Sequence, residues 1–155
     1  MANKAEIRTE LLFTAKLDVA PPVELGPGPK GIRRFVPIAA GPFEGPKIRG
    51  IAIPGGIDWQ LIRPDRVTEL EAHYTLMTDD GVLIRVINRG FRHGPPGVIE
   101  RLAAGEAVDP AQYYFRAAPI FEAPLGRYDW LNRSLFISTG ERYVDSVVIH
   151  VFEVL

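Results

Sequence analysis

Apolar and polar positions alternate on both sides of Asp79-Asp80-Gly81, and this alternation fixes strand direction, turn and shared faces for residues 70–90. The β-prone runs 70–78 and 82–88 pair as an antiparallel hairpin. A two-residue loop of Asp80-Gly81 would set Asp79 opposite Val82 and mix charge with hydrocarbon on both faces. A three-residue loop with Gly81 in the left-handed region sets Thr78 opposite Val82 instead. Leu70, Ala72, Tyr74 and Leu76 then share one face with Ile84, Val86 and Asn88, and Glu71 stands across from Arg89 as an ion pair. That face is apolar except for Tyr74 and Asn88.

The same period of two marks a first strand over 7–18, with Leu11, Phe13, Ala15 and Leu17 on one side. Residues 21–31 carry four prolines and three glycines and read as a long loop, a candidate lid. A strand over 32–39, a loop over 41–46 and a strand over 47–53 follow. Pro54-Gly55-Gly56 interrupts the ladder, so that Asp58 and Trp59 resume pairing after a kink that re-aims them. Residues 95–105 have proline at the start and glycine past the end, with Val98, Ile99, Leu102 and Ala103 at helical spacing. This helix would cover one opening or flank of the sheet. Strands over 112–122, 131–139 and 143–155 complete the chain, with Tyr114, Arg116, Ala118, Ile120 and Glu122 on one side of the first.

About eight strands, short turns, one short helix and no βαβ alternation predict an all-β fold. One short helix cannot cover a flat sheet of that size, and closure removes both edges. The expectation is a single antiparallel up-and-down β-barrel over 1–155, closed or nearly closed, with a lumen either filled or wide enough for one small ligand.

Composition narrows the function. The chain has 155 residues, a formal net charge of -1 and no basic run, which disfavours nucleic acid as a partner. It contains no cysteine, so disulfides, thiol nucleophiles and thiolate metal sites are excluded together. The segment 1–6 turns charged at once, and no run approaches the roughly twenty apolar residues that span a bilayer, so no membrane association and a cytoplasmic location are expected. His73, His93 and His150 are scattered, and neither a metal motif nor a nucleotide fingerprint occurs, so no metal and no cofactor are expected.

Gly45-Pro46, Pro54-Gly55-Gly56-Ile57-Asp58-Trp59, Tyr74-Thr75-Leu76-Met77-Thr78-Asp79-Asp80-Gly81, Arg101-Leu102-Ala103-Ala104-Gly105-Glu106, Val108-Asp109-Pro110, Tyr113-Tyr114-Phe115-Arg116 and Trp130-Leu131-Asn132-Arg133 resemble, in order and spacing, the domain-of-unknown-function family 3237, also called UPF 0311. The resemblance spans nearly the whole chain. It implies a small barrel of the lipocalin or allene-oxide-cyclase kind. It also suggests, through fungal relatives, cofactor-free cyclases that close an oxygen ring on a phenolic or polyketide substrate. The chain departs from the family's pattern at Ala117 and Ala123, where threonine is expected.

Polar side chains on otherwise apolar strands should meet one another or a ligand, because burying them unpaired is unfavourable. Asp58, Tyr74, Asn88, Arg116, Glu122 and Asn132 are such residues, with Trp59, Tyr114 and Trp130 near them. The expectation places them in the lumen. Asp58 or Glu122 would move a proton, Tyr74, Arg116, Asn88 and Asn132 would hold an oxyanion, and the tryptophans and Tyr114 would wall a flat substrate. The plainer reading of each stays open: Arg116 as an internal ion pair with Glu122 or Asp58, Tyr74 as core, Asn88 as a strand end, the tryptophans as packing. Arg92 and His93 read as solvated residues before the helix, and Asp79 and Asp80 as turn residues.

Three functions follow. The first is a cofactor-independent isomerase or cyclase acting on a small hydrophobic phenolic, polyketide-like or enone molecule. The second is a barrel that binds such a molecule without changing it. The third is an interaction protein with a filled lumen, forming a homo-oligomer through an outer face bearing Met77, Leu83 and Ile87.

Overall fold

The computed structural model describes residues 5–155, and the first four residues, part of the stretch read above for targeting, lie outside it. In chain order the strands are β1 (Thr9–Asp18), β2 (Val23–Gly28), β3 (Gly31–Ile38), β4 (Gly41–Glu44), β5 (Arg49–Ile62), β6 (Thr68–Thr78) and β7 (Leu83–His93). Helix α1 (Pro96–Ala103) precedes β8 (Tyr114–Glu122), β9 (Leu135–Arg142) and β10 (Ser146–Val154). All strand pairs are antiparallel, and β5 also pairs with the end strand β6, which closes the sheet on itself. β3 and β4 lie end to end along β5, against residues 56–62 and 49–52 respectively. Taken as one broken strand, they complete a closed barrel of eight members, with β2 outside it on β3.

The hairpin β6–β7 takes the three-residue register: Tyr74 pairs with Val86, Ala72 with Asn88 and Leu70 with Gly90. Gly81 has φ 86°, the left-handed conformation the turn requires of it. Glu71 accepts from Arg89 at 2.6 Å on the outer face. Asp80 does more than turn the chain. It accepts from the Thr78 hydroxyl at 2.6 Å and the Tyr128 hydroxyl at 2.8 Å, and pairs with Arg127 at 3.1 Å, so the hairpin tip is tied to the segment before β9. These bonds hold its carboxyl below the usual range.

Three boundaries differ from the sequence reading. The stretch 21–31 is not a loop, because residues 23–28 form β2, an edge strand with β3 as its single partner, and an edge is where a strand tolerates a proline such as Pro27. Residues 41–44, also read as loop, are β4; a side chain at Gly41 would strike the Lys16 carbonyl, so only glycine lets β4 tuck against β1. The strand expected over 131–139 begins later. Asp129–Arg133 is a 3-10 turn, and β9 then runs through Arg142, which moves the following turn to residues 143–145.

The interior divides along the barrel axis. At the hairpin-tip end Phe13 meets Phe43 at 5.2 Å and Phe121 at 6.0 Å between ring centres, and Phe121 meets Phe136 at 4.8 Å. Leu76, Ile84 and Leu131 fill the gaps with at most 1% of their surface exposed. Each such buried side chain contributes about 1.5–3 kcal/mol. Helix α1 buries Leu102 and rests Val98 and Ile99 on the core, covering a flank near the other end. No helix of the described residues is long and apolar enough to cross a membrane.

Candidate functional site

The inner faces of β5, β6 and β7 carry the site because of one irregularity. Between Ile53, opposite Thr75, and Ile57, opposite His73, β5 spends Pro54-Gly55-Gly56 where β6 spends Tyr74 alone. Two extra residues preserve the alternation but bend the strand, and Asp58 emerges beyond the bend opposite Ala72, which in turn pairs with Asn88. Asp58, Ala72 and Asn88 therefore form one row across the inner wall, and Gln60, Leu70 and Gly90 form the next. The small residues Ala72 and Ala117 leave room between them.

That room is a cavity of about 80 Å³ lined by Asp58, Gln60, Tyr74, Asn88, Arg92 and Arg142, with apolar walls from Leu17, Val36, Ile38 and Phe115. It reaches the surface where the exposed residues Pro22 and Val144 border it. Pro22 is the one residue of the expected lid that lines it.

Its hydrogen bonding is incomplete. Gln60 donates to Asp58 Oδ2 at 2.8 Å and accepts from Arg34 Nε at 2.8 Å, so Arg34, 9% exposed, stands behind the glutamine. Asp58 Oδ1, the Tyr74 hydroxyl and Asn88 Oδ1 are buried without a hydrogen-bond partner among the described residues. Such groups are uncommon in folded proteins, and three facing one cavity mark a place prepared for something else. Arg92 is 5% exposed, its guanidinium lies 5.4 Å from the Phe115 ring, and that group makes no side-chain hydrogen bond among the described residues.

Electrostatics reflect this enclosure. Burial pushes the Asp58 carboxyl above its ordinary range, against the Gln60 hydrogen bond and the attraction of Arg92 and Arg34. Burial, helped by the Asp58 charge, also raises the Tyr74 phenol. Arg92 is pushed down to about 9 by burial and by Arg142, and burial lowers Arg34 and Arg142 as well.

Of the residues the sequence assigned to the lumen, the structure brings together Asp58, Tyr74 and Asn88. The others are corrected. On β8 the inward side is Phe115, Ala117, Pro119 and Phe121, so Tyr114, Arg116 and Glu122 point outward. Arg116 lies over the Tyr114 ring at 5.7 Å and donates to the Phe115 carbonyl at 2.9 Å, while Glu122 pairs with Arg85 at 3.6 Å in solvent. Trp59 falls on the opposite side of β5 from Asp58 and packs on Phe35 at 5.1 Å. Trp130 lies at the filled end near Phe136 with Lys47 over its ring. Asn132 clamps both backbone groups of Ala123, at 2.8 and 2.9 Å, and is a loop fastener. Arg92 is buried rather than solvated. Gln60, Arg34, Arg92 and Arg142 were missed. Continuing the alternation from Asn88 through Gly90 reaches Arg92, and one step of the same kind from Asp58 reaches Gln60, so half of the set lies in register with residues already named.

Fold and site together define a class: a small closed antiparallel barrel with one end filled and a polar, cationic pocket at the other. The chain belongs to the DUF3237 family, proteins of unknown function, whose model matches residues 7–154. A UPF0311 protein of Rhodopseudomonas palustris is 41% identical over 149 residues, 96% of this chain and 97% of that one. A UPF0311 protein of Clostridium acetobutylicum is 35% identical over 99% of this chain and 98% of its own. Among solved structures, a conserved protein of unknown function from R. palustris superposes with TM-score 0.94 at 39% identity, covering 98% of this chain and 100% of that one. A beta-barrel like protein from Acinetobacter baumannii gives 0.86 at 34%, over all of both chains. A structure described as an enzyme from Penicillium herquei gives 0.74 at 20%, over 100% of this chain and 99% of that one, a likeness of fold.

Proposed function

We propose that this barrel is a cofactor-independent isomerase or cyclase that moves a proton within a small enolic, phenolic or enone molecule held in the cavity. The observation that carries the reading is the convergence of Asp58 Oδ1, the Tyr74 hydroxyl and Asn88 Oδ1, all buried and all bare, on one enclosed space. Two bare acceptors call for a ligand with a hydroxyl or an acidic C–H, and Asp58 is the acceptor able to keep the proton. Its raised pKa brings it toward the range where a carboxylate both takes and returns a proton.

In the reaction Asp58 removes the proton from a hydroxyl or from a carbon beside a carbonyl. The electron pair is left on the oxygen, where the Tyr74 hydroxyl receives the charge. Asp58 then returns the proton at another carbon, completing an isomerisation. In a cyclisation the freed oxygen bonds to the far end of a conjugated enone and the proton goes to the carbon beside its carbonyl. Both are internally balanced and need no oxidant or reductant. The Penicillium protein of the same fold, described as an enzyme, agrees with a catalytic use of this barrel.

The test is solvent deuterium incorporation into a panel of small enones and phenols, followed by NMR. The wild-type protein is expected to accelerate exchange, and Asp58→Asn to lower that rate by about 10²–10⁴-fold. Full exchange in Asp58→Asn with any compound that the wild type exchanges refutes the mechanism and leaves a binding barrel.

A further inference from the structure

The charges of the cavity do not balance. Asp58 is its one acidic lining residue, whereas Arg92 and Arg142 both line it and Arg34 stands behind Gln60. Arg34 has a second acidic neighbour, Glu24, at 3.9 Å, but that side chain is 57% exposed and lies outside the cavity. Burying cations without partners is unfavourable, and desolvation outweighs attraction at all three arginines. Arg92 and Arg142 approach closely enough to repel one another, and Asp58 offsets only part of that.

We infer that the ligand arrives as an organic monoanion whose carboxylate lodges between Arg92 and Arg142 while its hydroxyl or enol faces Asp58 and Asn88. This deepens the proposed function by naming the substrate class, and it rests on that reading only for the end of the ligand that reacts. A guanidinium offers paired N–H donors that match the two oxygens of a carboxylate. Arg142 belongs to β9 just before the turn that holds Val144, so the anionic group would lie on the mouth side and the reactive group deeper, beside Tyr74. A dianion suits the site less well, since the buried Asp58 carboxylate would oppose its second charge. The cavity volume of about 80 Å³ is smaller than the roughly 150 Å³ that admits a benzene ring, so an acid with as many non-hydrogen atoms as that ring, open-chain or aromatic, projects in part through the mouth.

The experiment compares acids with their neutral amides by calorimetry on the full chain at neutral pH. The pairs are 3-hydroxybutyrate against 3-hydroxybutyramide and 4-hydroxybenzoate against 4-hydroxybenzamide, with phenyl phosphate as the dianionic arm. At least one acid is expected to bind about tenfold or more tightly than its amide and than phenyl phosphate. That preference is expected to fall toward unity in Arg142→Gln and Arg92→Gln and to persist in part in Arg92→Lys, with folding of each variant checked by circular dichroism. Amides that bind as tightly as the acids, tighter binding of phenyl phosphate, or no acid bound at about 10 mM would each overturn the inference. Should Arg92→Gln fail to fold, the more peripheral Arg142→Gln decides alone. The outcomes separate from the proton-transfer reading: Asp58→Asn stops exchange without abolishing the preference for acids, whereas an absent preference beside intact exchange rejects only the anion.

Discussion

The two ends of the barrel use the same strands for opposite purposes. At the hairpin-tip end the inward positions are Phe13, Phe43, Leu76, Ile84, Phe121 and Phe136, and nothing but side chain occupies the axis. A few residues along the same strands, the inward positions become Ala72, Gly90 and Ala117 with Asp58, Asn88 and Arg92 among them. The filled end contributes stability through close packing, and the hollow end gives some of it up to keep polar groups unmatched. On β6, β7 and β8, which run unbroken through both ends, the difference is written in side-chain volume, and the backbone contributes it only at the β5 bulge.

The comparison breaks most sharply at Phe121. Phe121→Ala is expected to lower stability by about 3–5 kcal/mol in denaturant unfolding, because the ring holds both Phe13 and Phe136. Matched enlargements make the next test. Ala52, 0% exposed at the filled end, has no room, so Ala52→Leu is expected to cost about 1–3 kcal/mol. Ala72→Leu grows into the cavity and should cost less than about 1 kcal/mol while abolishing ligand binding. Equal penalties at the two alanines would refute the division. Tyr74→Phe removes a buried hydroxyl that has no partner and is expected to raise stability by about 1 kcal/mol while slowing exchange.

The smallest effects are in pH dependence, where two carboxylates have opposite signs. Glu141, on the outer face, has its pKa lowered by His150 Nε2 at 2.7 Å and the Tyr143 hydroxyl at 2.7 Å. Its contribution is present above the unfolded carboxyl pKa and is lost as pH falls through the folded value, so Glu141→Gln should flatten the acid side of the stability curve. Asp58 has a raised pKa, so its contribution is full below the unfolded value and declines as pH rises through the folded one. Asp58→Asn is therefore expected to melt higher than wild type at neutral pH, with the gain vanishing in acid.

Much of the fold was legible because local signals agreed. In β6–β7 the turn chemistry and the alternation point to one register, and the structure takes it. The kink at Pro54-Gly55-Gly56 and the helix were legible for the same reason. β8 shows what alternation cannot decide, for both of its sides carry aromatic residues. Which side faces inward is set by its partner, where Gly90 pairs with Ala117 and Arg89 with Ala118, and that register is not local information. Reading the more polar side as functional placed Arg116 and Glu122 inside. Arg92 was lost to the opposite habit: a charged residue next to a helix start reads as solvated, although the period of two that carried Asn88 inward carries Arg92 inward as well.

The Asp80 anchor at the hairpin tip has a kinetic corollary. By stapling Tyr128 and Arg127 across the base, it fastens the filled end of the barrel, away from the cavity mouth that Pro22 and Val144 border. Under the proposed reaction a product formed in the cavity leaves by the mouth through which its precursor enters, so the two contend for one passage and inhibition by product is expected to take the competitive form.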